Sequence, residues 1–210
     1  MAFASGATAA VVGFGIGSLL TPLLAASLGT STAVAAVALP HAAATTLRCW
    51  RLRGAVDWSI LGGFGLLSAV GGLVGAVLYS QLASGPLTIA LGCLLLLTAS
   101  AGITGWGTGW HPKGPMVWAL GLLSGFFGGL AGNQGGLRAA ALSAFRLPPV
   151  AFVATATAIG VLVDAARTPV YLWRAGPALQ SITGLIAVAT AGVLLGTIVG
   201  ERLLRGLSPN

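Results

Sequence analysis

Residues 1–47, 58–112, 114–137 and 175–200 contain no Asp, Glu, Lys or Arg at all. A membrane-spanning helix needs about 20 consecutive, mostly apolar residues, and each of these windows holds one or two such stretches. Only 6% of the 210 residues are charged, where a soluble domain carries roughly 25%. Mean hydropathy is +0.97. These values exclude a water-soluble enzyme, a disordered chain and a nucleic-acid-binding domain. The net charge of +7 falls mostly at the ends of apolar runs, where membrane topology accounts for it. Cys49 and Cys93 are too far apart to form a metal or redox spacing. The expected fold class is all-α, a polytopic membrane helix bundle.

The windows divide at Gly29-Thr30-Ser31 and at Ser84-Gly85-Pro86. Seven segments result, at about 8–28, 31–50, 58–82, 86–105, 115–145, 150–173 and 177–201. No positive residue precedes the first of them, so it reads as a membrane segment rather than a cleaved leader. With seven alternating crossings, the corners at Arg48/Arg51/Arg53, Lys113 and Arg174 share one side, which the positive-inside rule makes cytoplasmic. Arg146, Arg202 and Arg205 then fall on the other. Trp50, Trp58, Trp106, Trp110, Trp118 and Trp173 flank the same three corners, as interfacial aromatic residues do.

The fifth segment is too long for a plain crossing. Its 31 residues would run about 46 Å as a helix. Gly128-Gly129-Leu130-Ala131-Gly132-Asn133-Gln134-Gly135-Gly136-Leu137-Arg138 in its middle reads as a break. Backbone leaves helical geometry at membrane depth only where protein or an aqueous cavity satisfies it. Gly13-Phe14-Gly15-Ile16-Gly17-Ser18 is a milder version in the first segment. The halves overlay at shifts of 119 to 123: Gly13–Gly17 on Gly132–Gly136, Gly71/Gly75 on Gly192/Gly196, Trp50-Arg51 on Trp173-Arg174. Two tandem repeats follow, 1–110 with about four segments and 111–210 with about three, each opening on a broken helix. Matching corners on one side make the repeats parallel; a re-entrant hairpin in the fifth segment would invert them.

The overlay also puts His41 on Asp164. His41, Thr45 and Arg48 share one helical face, and Thr157, Gly160, Asp164, Arg167 and Tyr171 share another. Polar stripes on apolar helices belong at a bundle interior or cavity. Asp164 and Arg167, three residues apart, suit an ion pair, either a structural lock or charge balance for an anion site. Around the second break, bare amides, the positive end of a half-helix, Asn133, Gln134 and the forked guanidinium of Arg138 suit an oxyanion. The competing reading is close helix packing through glycine, with Arg138 reaching outward. His41 is either a proton relay or a buried, hydrogen-bonded histidine. The Gly-x-x-x-Gly pairs suit packing within a bundle. No metal cluster, cofactor motif or nucleophile–base pair is present, so no enzyme is expected.

Two apolar units, each with a glycine-rich break, a basic corner and a Gly-x-x-x-Gly helix, resemble the sulfite exporter TauE/SafE family. The closest likeness lies in Leu39-Pro40-His41-Ala42 leading to Leu47-Arg48-Cys49-Trp50, and in Gly132 to Arg138 leading to Ala154-Thr155 and Val163-Asp164. The first glycine motif departs from the family in lacking three consecutive glycines. The resemblance implies a multi-pass permease of the bacterial cytoplasmic membrane for sulfite, a sulfonate or a related anion. Expected substrate contacts are Gly15, Gly17, Asn133, Gln134, Gly135, Gly136 and Arg138, with His41, Asp164 and Arg167 setting charge balance or proton coupling. The implied partners are a small anion and the lipid bilayer, with no nucleic acid and no cofactor; homo-oligomerisation stays open. The alternative is a non-transporting membrane subunit whose Arg51 and Arg53 dock a cytoplasmic partner. Cation transport is disfavoured, since Asp164 is the only deep anionic ligand.

Overall fold

The computed structural model describes residues 1–13, 15–104 and 112–207. Phe14, Trp106 and Trp110, and the side chain of Arg205, lie outside the described residues. Among those described, all regular structure is helical. The helices are α1 (Ala2–Val12), α2 (Ile16–Leu28), α3 (Thr30–Leu52), α4 (Trp58–Gln81), α5 (Ser84–Thr104), α6 (Pro115–Ala131), α7 (Gly135–Leu142), α8 (Pro149–Gln180) and α9 (Thr183–Leu207). Four of them, α4, α5, α8 and α9, are long and apolar enough to cross a membrane. With 23 residues, α3 is about 34 Å long and runs through the interior.

Local signals set the boundaries. Pro115 and Pro149 occupy the first turns of α6 and α8, where a missing N–H costs nothing. The Asp57 carboxylate accepts from the Ser59 and Ile60 amides, each at 3.0 Å, and starts α4. Arg174-Ala175-Gly176, read from sequence as the gap between the last two segments, does not interrupt α8, nor does the Pro177 that follows; the turn comes at Ser181–Ile182. Proline is tolerated inside membrane helices when neighbours satisfy the freed groups.

Both expected breaks are present, and each turns the chain back on itself. Single residues connect α2 to α3, so α2 returns along α3, with Ile16 and Leu20 packed beside Val37 and Ala44. Likewise α7 runs back from the end of α6, placing Ala141 and Leu142 beside Ile60 and Phe64 near the start of α4. The first segment is therefore a helical hairpin, α1–α2, and the fifth is another, α6–α7. Among the described residues, the seven expected crossings become five long helices and two hairpins.

That arrangement overturns the one-sided reading of the basic corners. At the centre, α3 and α8 run antiparallel: His41 meets Asp164, Arg48 meets Thr157, and Leu52 packs with Val153. Trp50 and Trp173, each toward the C-terminal end of its helix, thus lie at opposite ends of the bundle. Arg51 pairs with Glu201 of α9 at 2.5 Å. Arg174 donates to the Ser80 carbonyl, at the far end of α4, at 3.0 Å. Arg51, Arg53, Trp58, Lys113, Trp118, Arg146 and Arg202 gather at one end, Trp173 and Arg174 at the other. Sequence order alone assigns sides by counting crossings, and two hairpins change the count.

Glycine-lined seams hold the hairpins in place. Gly71 and Gly75 of α4 abut the Leu122 and Phe126 carbonyls of α6, and Gly196 and Gly200 of α9 abut the Phe3 and Ala7 carbonyls of α1. Each pair runs parallel, and small residues let the backbones approach. Gly75→Val, which drives a side chain into the Phe126 carbonyl, is expected to cost about 1–3 kcal/mol or more. Its thermal midpoint in detergent should fall clearly below that of Gly92→Val, where nothing lies within 4 Å. Equal midpoints would refute the seam.

Candidate functional site

The two hairpin tips meet near the centre of the bundle. At the first, Gly13 (φ 90°) ends α1 and Gly15 (φ 141°) precedes α2; at the second, Gly132 (φ 71°) ends α6. These left-handed conformations strain any residue with a Cβ. A Cβ on Gly17 would overlap the Gly132 carbonyl oxygen, and Ser18 Oγ donates to Asn133 Oδ1 at 3.0 Å. The N-termini of α2 and α7 therefore converge. The first turns of both carry amides without intrahelical partners and the positive ends of helix dipoles.

Between them lies a cavity of about 20 Å³, slightly more than one water needs. Gly13, Gly15, Gly17, Ser18, Gly132 and Gly135 form much of its backbone wall. His41, Thr45, Arg48, Asn133, Gln134 and Arg138 supply side chains. Arg48 donates Nε to Thr157 Oγ1 at 2.7 Å, and Arg138 donates Nη1 to the Ala156 carbonyl at 3.0 Å. Five donors on these side chains have no hydrogen-bond partner: Arg48 Nη1, Arg138 Nε, Arg138 Nη2, Asn133 Nδ2 and Gln134 Nε2. A buried unsatisfied donor costs about 1–3 kcal/mol, more when charged. All five belong to side chains that line this one cavity.

Asp164 stands behind this wall. Its Oδ2 is 2.6 Å from His41 Nδ1 and accepts from Thr45 Oγ1 at 2.9 Å. Its Oδ1 accepts from Arg167 Nε at 3.0 Å and lies 2.8 Å from Nη2. Arg167 Nη1 donates to the Gly128 carbonyl, and Tyr171 donates its hydroxyl to the Gly129 carbonyl at 2.5 Å. A cation at the carbonyl end of α6 opposes the negative pole of that helix. Asp164 thus joins the imidazole at the cavity rim to the clamp on the second hairpin.

A family model for the sulfite exporter TauE/SafE matches residues 1–210, the whole chain. The chain belongs to the sulfite exporter TauE/SafE family. Among curated proteins and solved structures nothing matches it. Membership makes it a multi-pass membrane protein of a transporter family associated with sulfur-containing anions.

In this TauE/SafE chain, Gly15, Gly17, His41, Asn133, Gln134, Gly135 and Arg138 all line the cavity. Gly136 does not line it; a Cβ there would press on the Thr98 methyl of α5. Asp164 and Arg167 sit behind the wall, with Arg167 turned to the α6 carbonyls. Arg48, assigned from sequence to a basic corner, is instead buried in the wall at 1% exposure. Its helical alignment with His41 and Thr45 was the signal that separated it from Arg51 and Arg53. Those two are engaged elsewhere: Arg51 with Glu201, and Arg53 over the Trp50 ring at 4.3 Å.

Proposed function

We propose that this TauE/SafE protein carries a small sulfur-containing oxyanion across the bacterial cytoplasmic membrane, binding it between the two hairpin tips. The observation that carries this reading is the set of five unpartnered donors at the meeting of two helix N-termini. First-turn amides of α2 and α7, with Arg48, Asn133, Gln134 and Arg138, replace the hydration shell of the anion. His41, tied to Asp164, adjusts the charge of the rim and links it to proton movement. The halves 1–110 and 111–210 act as repeats inverted in the bilayer, and rocking of one against the other exposes the site alternately. Purified protein in proteoliposomes is expected to pass labelled sulfite faster than empty vesicles. Flux at the empty-vesicle rate would refute the transport reading and favour the subunit alternative.

The basic end, with Arg51, Arg53, Lys113, Arg146 and Arg202 against Arg174 at the other, faces the cytoplasm under the positive-inside rule. In a background lacking Cys49 and Cys93, Ser84→Cys should react with an impermeant maleimide added to intact cells, and Arg146→Cys only after lysis. The reverse pattern would invert the orientation.

A further inference from the structure

Glu201 of α9 is a carboxylate with no exposed surface, near the basic end of the bundle. Its Oε2 lies 2.5 Å from Arg51 Nε of α3, whose side chain keeps 35% of its surface open. Arg48 stands one turn before Arg51 on the same face of α3, buried in the wall of the cavity. Glu201 acts on the Arg48 guanidinium more strongly than Asp164 does, and Asp164 is already matched by Arg167. One buried carboxylate therefore serves two arginines, one open at the surface and one lining the cavity.

The opposite end of the bundle shows that the contact itself does not need a carboxylate. The shift of 121 that lays Gly71 and Gly75 on Gly192 and Gly196 also lays Ser80 on Glu201, and Arg51 overlays Arg174. Arg174 donates to the Ser80 main-chain carbonyl at 3.0 Å, so the corresponding positions touch there through a neutral acceptor. Burying a carboxylate is costly, and a clasp between α3 and α9 alone does not call for one. What the charge at Glu201 adds is a counter-ion for Arg48 while the cavity is empty.

We propose that Glu201 is a resident counter-ion that competes with the transported anion for Arg48. An anion arriving in the cavity places a second negative charge beside the same guanidinium, and the two repel. Binding of the anion weakens the hold of Glu201 on α3, and by reciprocity Glu201 lowers the affinity for the anion by the same factor. An affinity held down in this way favours release, and a filled cavity loosens α9 from α3. The proposal rests on the transport reading above and adds to it a residue outside the cavity.

Glu201 and Arg51 then have opposite effects on the anion. Glu201→Gln frees Arg48 for it, whereas Arg51→Gln leaves Glu201 wholly to Arg48. Thermal unfolding of the purified full chain in detergent, titrated with sodium sulfite at fixed pH and ionic strength, reads both, because a ligand of the folded state raises the midpoint with its occupancy. The half-saturating sulfite concentration is expected to fall in Glu201→Gln by roughly 5- to 150-fold, the usual range of coupling between two sites. In Arg51→Gln it should rise. Arg53→Gln removes the same charge from over the Trp50 ring and should leave the titration unmoved, which controls for net charge. A clasp with a merely structural role lowers the sulfite-free midpoint in Glu201→Gln and Arg51→Gln alike and does not move their titrations in opposite directions.

An unchanged or higher half-saturating concentration in Glu201→Gln would overturn the proposal, as would a shift in Arg53→Gln as large as that in Arg51→Gln. Should Glu201→Gln fail to fold, Arg51→Gln set against Arg53→Gln still decides. No stabilisation of the unaltered protein by sulfite, together with flux at the empty-vesicle rate, would remove the transport reading and this competition with it.

Discussion

Replacing Arg138 with alanine should abolish anion flux while leaving the protein inserted and folded. Two of its three guanidinium nitrogens, Nε and Nη2, are buried without partners in the cavity wall. Hydrogen bonds to charged groups contribute about 1.5–3 kcal/mol each, so losing two corresponds to a factor on the order of 10² to 10⁴ in binding. The third nitrogen donates to the Ala156 carbonyl, whose loss costs about 1–3 kcal/mol in stability. Arg138→Gln, which can retain a donor to Ala156, separates the two effects. Both variants should elute as the unaltered protein does from a sizing column, and both should lose labelled-sulfite flux in proteoliposomes. Flux at the unaltered rate in either would remove Arg138 from the mechanism.

Asp164→Ala should have the largest effect on the fold. The carboxylate serves His41, Thr45 and Arg167 at once. Removing it leaves Arg167 as a buried charge at 1% exposure without its counter-ion. Breaking one side of a buried pair costs about 3–5 kcal/mol, whereas removing both charges is often close to neutral. Asp164→Ala should therefore unfold at a markedly lower temperature, and Asp164→Leu combined with Arg167→Met should recover much of the loss. Recovery would stay incomplete, because Arg167 also holds the Gly128 carbonyl. An unchanged midpoint in Asp164→Ala would show that the triad carries no structural weight.

The helical class and both break points could be read from the chain because their causes are local. Charge-free windows demand helices in lipid, and the positive φ angles at Gly13, Gly15 and Gly132 demand residues without a Cβ. Whether a break is crossed or turned back is not local. Two helices of 11 and 13 residues can stack into one crossing or fold into a hairpin with the same hydropathy. The contact of Gly17 with Gly132, 115 residues apart, marks the difference. With that missing, Trp50-Arg51 and Trp173-Arg174 looked like corners on the same side.

The site divides in the same way. Asn133, Gln134 and Arg138 stood out because polar groups beside glycines at membrane depth have few structural uses. Arg48 was hidden by its neighbours, since three arginines within six residues resemble a topology signal. The spacing of Asp164 and Arg167 announced an ion pair. That the same guanidinium would cap α6 through Gly128 depends on the turn-back of α6–α7, which no spacing within α8 reveals.

The seam between α1 and α9 bears on how the molecule is made. The residues that Phe3 and Ala7 lie against, Gly196 and Gly200, are synthesised almost two hundred residues later. Until then α2 can pack along α3, but α1 lacks the seam on which it rests. The docking of α1 must therefore wait until α9 has been made.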